Sequence, residues 1–249
     1  VTPPVRYVLR LADSSLVLAQ RLGEWVGHAP AIEEDLGLAN LSLDLLGQAR
    51  LLLAHAGELE GRGRGEDELA YLRGESEYFN LTLVEQPNGD FGQTIARQFL
   101  FDAWQLGLYE SLQQSVDARL AAIAAKALKE TRYHLRYSGG WLIRLGDGTG
   151  ESHGRAQQAL ERLWPFTNEL FATDEIERDA ARAGLGPEPG ALEAAWTARV
   201  DEVLAQATLT RPGRTHFVWY GKEGRHGEHL GYLLAEMQSL HRAHPGATW

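Results

Sequence analysis

Lys126-Ala127-Leu128-Lys129-Glu130-Thr131-Arg132-Tyr133-His134 lies in a long helical pattern and carries the parts of a metal site in the wrong order. Helical bundles that hold two irons place a glutamate and a histidine three residues apart, so that both side chains point into the core one turn from each other. Here the residue three after Glu130 is Tyr133, and His134 lies one further on, about 100° round the helix. Lys126 stands one turn before the glutamate. A cation in such a place suggests a dinuclear site rebuilt without its metals, and therefore a scaffold more than a catalyst.

Working outward, helical periodicity dominates the chain. The apolar spacing predicts helices over roughly 5–26, 31–59, 90–114, 117–145, 152–172 and 191–207, and from 227 to just before Pro245. Residues 66–82 read as a short helix or as irregular. Asp90 and Asp117 read as N-caps, with Gln93 completing a capping box at the first. Gln86-Pro-Asn-Gly-Asp90, Gly146-Asp-Gly-Thr-Gly150 and Gly184-Leu-Gly-Pro-Glu-Pro-Gly190 are breaks by residue chemistry. With no strand pattern, no repeat and no second hydrophobic core, the expectation is one all-α domain over 1–249.

The predicted second helix is leucine-rich almost all round, through Leu36, Leu38, Leu41, Leu43, Leu45, Leu46, Leu52 and Leu53. A helix of that kind is expected to be central. Its narrow polar stripe holds Glu33, Gly37, Asn40, Asp44, Gln48 and His55. Two homes are open for the stripe: a thin solvent seam, or the bundle interior facing partners on other helices. Those partners would be Asp13, Gln20 and Glu24 on the first helix, Gln98, Asp102, Gln105 and Tyr109 on the third, and Lys126, Glu130, Tyr133, His134 and Tyr137 on the fourth.

As a metal site the set is degenerate. Asp44 is followed three later by Gly47, and Glu130 by Tyr133, so neither pair repeats the ligand spacing. The one literal match, Glu223-Gly-Arg-His226, stands in a Gly-rich stretch and reads as chance. Carboxylates that converge without a cation repel one another. One reading therefore sets Lys126 against Glu130, and against Asp44 or Asp102, where metals would sit. The other makes Lys126–Glu130 an exposed pair one turn apart, worth only about 0.3–0.5 kcal/mol.

The chain has 249 residues, 44% hydrophobic and 23% charged, with a net charge of −10 and no cysteine. Disulfides and thiolate metal sites are excluded, and broad nucleic-acid binding is disfavoured because phosphate contacts need clustered cations. No membrane span, P-loop, nucleophile elbow or dinucleotide fingerprint is visible. Seven tryptophans and eight tyrosines supply rigid aromatic anchors. Trp25, Phe99, Phe101 and Trp104 are the candidates for a partner-facing surface, with ordinary core packing as the alternative for each. Arg211, Arg214, Lys222 and Arg225 form a basic cluster that would meet acyl-CoA phosphates or an acidic partner, or stay solvated.

Leu16-Val-Leu-Ala-Gln-Arg-Leu-Gly-Glu-Trp25, Gly27-His-Ala-Pro30, Leu43-Asp-Leu-Leu-Gly-Gln-Ala-Arg50, Val84-Glu-Gln-Pro-Asn-Gly89, Thr94-Ile-Ala-Arg-Gln98, Arg132-Tyr-His-Leu-Arg136, Gly227-Glu-His-Leu-Gly231 and Leu234-Ala-Glu-Met-Gln238 together resemble the C subunits of bacterial phenylacetyl-CoA epoxidases. The resemblance implies a ferritin-like helical bundle with additional C-terminal helices, cytoplasmic, acting in aerobic phenylacetate catabolism. It implies a non-catalytic structural subunit that stabilises a catalytic A subunit, with the di-iron centre in that partner and no cofactor in this chain. Further small and reductase subunits would complete the monooxygenase, and a homodimer is open for the isolated chain. The rival reading is an independent di-iron or di-manganese oxidase using Asp44, Asp102, Glu130 and His134; another is a stand-alone helical scaffold with unrelated partners.

Overall fold

The computed structural model describes residues 2–213 and 215–247. Among these residues the structure is helical and has no strand. In chain order the helices are α1 (Pro3–Gly23), α2 (Ile32–Glu60), α3 (Glu66–Tyr71), α4 (Thr82–Glu85), α5 (Phe91–Leu112), α6 (Ala118–Gly146), α7 (Gly150–Leu163), α8 (Asn168–Phe171), α9 (Glu175–Arg182), α10 (Glu193–Gln206), α11 (Glu228–Met237) and α12 (Ser239–Ala243). The long ones fall where the apolar period placed them. None of the described helices is long and apolar enough to cross a membrane.

The sequence suggests one domain over 1–249; the chain divides into two compact units. One comprises Val1–Pro87 with Tyr220–Trp249, the other Asn88–Trp219. In the first unit α1 packs against α2, and α4 and α11 close on α1. In the second, α5 pairs with α6, and α7 and α10 pack against both.

The local chemistry explains where the elements stop. Gly61 ends α2 in the left-handed conformation, φ 69°, and returns its N–H to the Gly57 carbonyl. A side chain would oppose that backbone, which glycine adopts freely. Asp90 accepts from the Gln93 N–H at 2.8 Å and starts α5; Asp117 accepts from the Arg119 and Leu120 N–H groups at 3.0 Å and starts α6. Each cap satisfies donors that the first turn leaves orphaned.

The helices buried on nearly every side are α1 and α5, which corrects the expectation for α2. Leu38, Leu41, Leu45, Leu52 and Leu53 of α2 are buried, but Ile32 is 71% exposed, Leu36 61%, Leu43 64% and Leu46 37%. The helix is apolar all round because it has two apolar faces, and α1 covers only one. Its polar stripe is split as well: Gly37, Gln48 and His55 are buried, Asp44 half-buried, and Glu33 and Asn40 exposed.

In the first unit α1 turns a polar row onto an irregular segment. Asp13 is fully buried and ion-paired with Arg73, itself 2% exposed, through both guanidinium nitrogens. The same carboxylate accepts the Phe79 N–H at 2.9 Å. Next to it, Ser14 Oγ accepts the Leu81 N–H at 3.1 Å while donating to the Arg10 carbonyl. Two adjacent residues of one helix thus tie down the extended backbone at 79–81, whose own groups have no ladder to join.

Asp13→Ala leaves a buried guanidinium and a buried N–H without their acceptor. It is expected to destabilise the chain by about 3–5 kcal/mol in urea unfolding. Asp13→Leu combined with Arg73→Met should recover much of that loss, because no unpaired charge then remains inside.

Candidate functional site

The polar interior of the second unit is built by α5 and α6. On α5, Gln98, Asp102 and Gln105 follow one another at one-turn spacing, so they line a single face. On α6 the buried face runs through Ile123, Ala127, Thr131, His134, Ser138 and Leu142. Asp102, with no solvent exposure, accepts from Gln98 Nε2 and from Ser138 Oγ, each at 2.7 Å. One turn along, Gln105 Nε2 donates to the Tyr109 hydroxyl at 3.3 Å, and Thr131 Oγ1 donates to Gln105 Oε1 at 3.4 Å.

This face corrects the register expected from the sequence. Tyr133 is 41% exposed and Glu130 only half-buried, whereas His134 is fully buried. The residues that point inward one turn apart are Thr131 and His134. The Glu-x-x-His spacing is therefore kept at its histidine and lost at its carboxylate, where a hydroxyl stands instead. Lys126 is exposed, which removes it from the interior; the buried face runs through Ile123, Ala127 and Thr131, so the helical phase sets position 126 outward. Asp44 belongs to the other unit. Among the described residues no three His, Asp or Glu side chains are grouped as a metal ion would need.

Burial raises the Asp102 carboxyl from 3.8 to about 6, against the opposing influence of His134, Ser138 and Gln98, which favour the charged form. Gln98 Oε1 is itself buried and has no donor among the described residues. The arrangement holds one carboxylate on two neutral donors next to a histidine. That can store a proton, but it cannot seat two cations.

A second buried carboxylate is not visible as a site from the sequence. Glu85, on α4, accepts from Asn80 Nδ2 at 3.1 Å, from His226 Nδ1 at 2.9 Å and from the Gly227 N–H at 2.7 Å. The other ring nitrogen of His226 is 2.9 Å from the Tyr78 carbonyl. Both ring nitrogens of His226 thus face oxygen atoms, one of Glu85 and one of the Tyr78 backbone, which fixes the plane of the ring. His226 thus answers Glu85, 141 positions away in the chain, and not Glu223. The one signal in the sequence is a lone acid closing the apolar run Leu81-Thr-Leu-Val84.

The remaining candidates separate. Phe99 and Phe101 are fully buried and Trp104 nearly so, which makes them core; Trp25 is half-buried. Aromatic side chains on a helix covered on nearly every side cannot form a docking face. The basic cluster also disperses. Lys222 is buried, and the carbonyl of the same residue accepts from Arg10 Nε at 3.1 Å. Arg225 faces Glu223 at 3.9 Å. Arg211 pairs with Asp201 at 3.0 Å and borders a cleft of about 420 Å³ walled by Trp164, Phe171 and Trp196. Arg214 lies outside the described residues.

Comparison with known proteins places this arrangement. The family described as phenylacetic acid catabolic protein matches residues 2–249. The chain belongs to that family. It is 55% identical over 243 residues to the C subunit of the 1,2-phenylacetyl-CoA epoxidase of Escherichia coli (strain K12), with 98% of each chain covered. The fold is accordingly ferritin-like and all-α, as the sequence motifs implied.

Because the folded carboxyl of Asp102 titrates near 6 and the unfolded one near 3.8, the native state binds the extra proton between those values. Stability attributable to this group therefore falls as pH rises from about 4 through 6 and is level above, by roughly 3 kcal/mol in all. Asp102→Asn is expected to remove that slope, and to gain on the wild type between pH 4 and 8 in urea unfolding followed by circular dichroism.

Proposed function

We propose that this chain is the structural, non-catalytic subunit of a phenylacetyl-CoA epoxidase, and that it holds the catalytic, di-iron subunit through α2. The observation that carries the reading is the uncovered face of that helix. Ile32, Leu36, Ala39, Leu43 and Leu46 recur at spacings of four and three residues, a seam about 21 Å long. Such a seam accepts the knobs of another helix. Water-exposed leucines at this spacing do nothing for the fold of this chain, whereas burial of each would contribute roughly 1.5–3 kcal/mol to an assembly. An obligate pair typically buries roughly 2,000 Å² or more, and apolar helix faces are its usual core.

The role is one of support. A rigid helix laid along the catalytic subunit limits how far that subunit's own helices can shift, and ligand geometry in a metal centre tolerates only about 0.5 Å of displacement. The interior of this chain favours the non-catalytic assignment: Asp13, Glu85 and Asp102 each have donors from the same polypeptide, and the inward position beside His134 is a threonine. The small and reductase subunits would join the pair, with turnover of the thioester in the cytoplasm at the partner's metals.

Leu36→Asp combined with Leu43→Asp puts two carboxylates into the proposed dry seam. Co-expressed with the catalytic subunit, this variant should bind it about 10²–10³-fold more weakly. The melting temperature of the isolated chain should stay within a degree or two, since both positions are exposed. Retained affinity would rule out α2 as the docking face. Iron or manganese bound near stoichiometrically by the purified chain alone would instead favour an independent oxidase.

A further inference from the structure

The exposed side of α6 carries a feature that neither the fold nor the proposed support role uses. Lys126, Lys129, Arg132, Arg136 and Arg144 are all exposed and fall within one sector of the helix, along about 27 Å. The only acid in α6 is Glu130. None of the five cations has an ion-pair partner among the described residues. Several other surface arginines of this chain, whose net charge is −10, are matched: Arg64 with Glu60, Arg155 with Glu151, Arg199 with Glu110 and Arg211 with Asp201. Two aromatic rings stiffen the row. Arg136 lies over Tyr133 at 5.5 Å, Arg144 over Trp141 at 5.2 Å, and Tyr133 packs against Tyr137 at 6.5 Å.

We infer that this stripe is a second docking surface, for a carboxylate-rich face of a further protein subunit that binds transiently. The inference rests on the multisubunit assembly proposed above. The row is convex and longer than any small ligand, whereas small molecules are bound in concavities. Duplex nucleic acid would meet the repulsion of a strongly acidic chain on either side of a single basic helix. Solvent-exposed cations suit an encounter that forms quickly and is released, while an apolar seam such as that on α2 suits a permanent one. The stripe therefore sets the rate and orientation of arrival more than the lifetime of the complex.

The test uses this chain together with the catalytic subunit, and measures binding of each further epoxidase subunit by surface plasmon resonance. For one of them the on-rate should fall about tenfold between about 50 and about 300 mM salt, with the off-rate little changed. Lys129→Glu with Arg132→Glu and Arg136→Glu should slow that on-rate about 100-fold at low salt and abolish its salt dependence. The milder set Lys129→Gln, Arg132→Gln and Arg136→Gln should slow it about tenfold and serves if the first folds poorly. Association with the catalytic subunit through α2 should be unaffected by either set, so the two docking claims fail separately. Unchanged on-rates in the variants, no binding of any further subunit to the wild type, or stripe-dependent binding of a 20-base-pair DNA duplex would each overturn the inference.

Discussion

A carboxylate withdrawn from water must be given donors or a cation, and this chain meets that requirement separately at three of its buried acids. Asp13 is answered by Arg73 and a backbone N–H, Glu85 by the His226 ring, an amide and a backbone N–H, and Asp102 by an amide and a hydroxyl. The rest of the structure follows from these arrangements. Helix α1 keeps its polar row because the segment at 79–81 needs acceptors and donors. The Gly-rich stretch near 221–227 keeps its course because His226 has to reach Glu85. Helices α5 and α6 stay in register because Asp102 and Ser138 share one hydrogen bond. At these three acids the requirement is met by side chains and backbone N–H groups of the same chain.

Much of the fold was legible because it depends on signals that act locally. The Asp90 and Asp117 caps and the leucine periods each fix an element without reference to any distant residue. What was not legible was orientation. Position 133 and position 134 are both plausible inward residues from spacing alone, and only the packing of α6 against α5 decides that the histidine is inside and the tyrosine outside. Likewise, a helix apolar all round cannot say whether both faces are covered by its own chain. For α2 the leucine pattern suggests that they are, and the exposed leucines show that folding satisfies only one. The Glu85–His226 contact joins residues 141 apart and could not be anticipated from either neighbourhood.

The aromatic residues illustrate the same limit. Phe99, Phe101 and Trp104 resemble anchors because large rigid side chains serve cores and interfaces equally. Their burial on α5 resolves that ambiguity toward the core, and leaves the proposed partner-facing role to aliphatic side chains that seemed to need no explanation. Tyr133, which spoils a ligand pair in the sequence, stands instead beneath Arg136 on the outer surface of α6. The candidate site thus kept Gln98, Asp102, Gln105 and His134 on α5 and α6, and lost Lys126, Glu130 and Asp44.

The open seam of α2 has a consequence for how this chain changes over generations. Surface positions ordinarily drift, since folding asks little of them. Positions 32, 36, 43 and 46 are released by the fold yet tied, through the proposed docking, to the shape of another polypeptide. They are expected to vary in step with that polypeptide and not with their own neighbours, so that part of the pressure on this gene is set by the sequence of a different one.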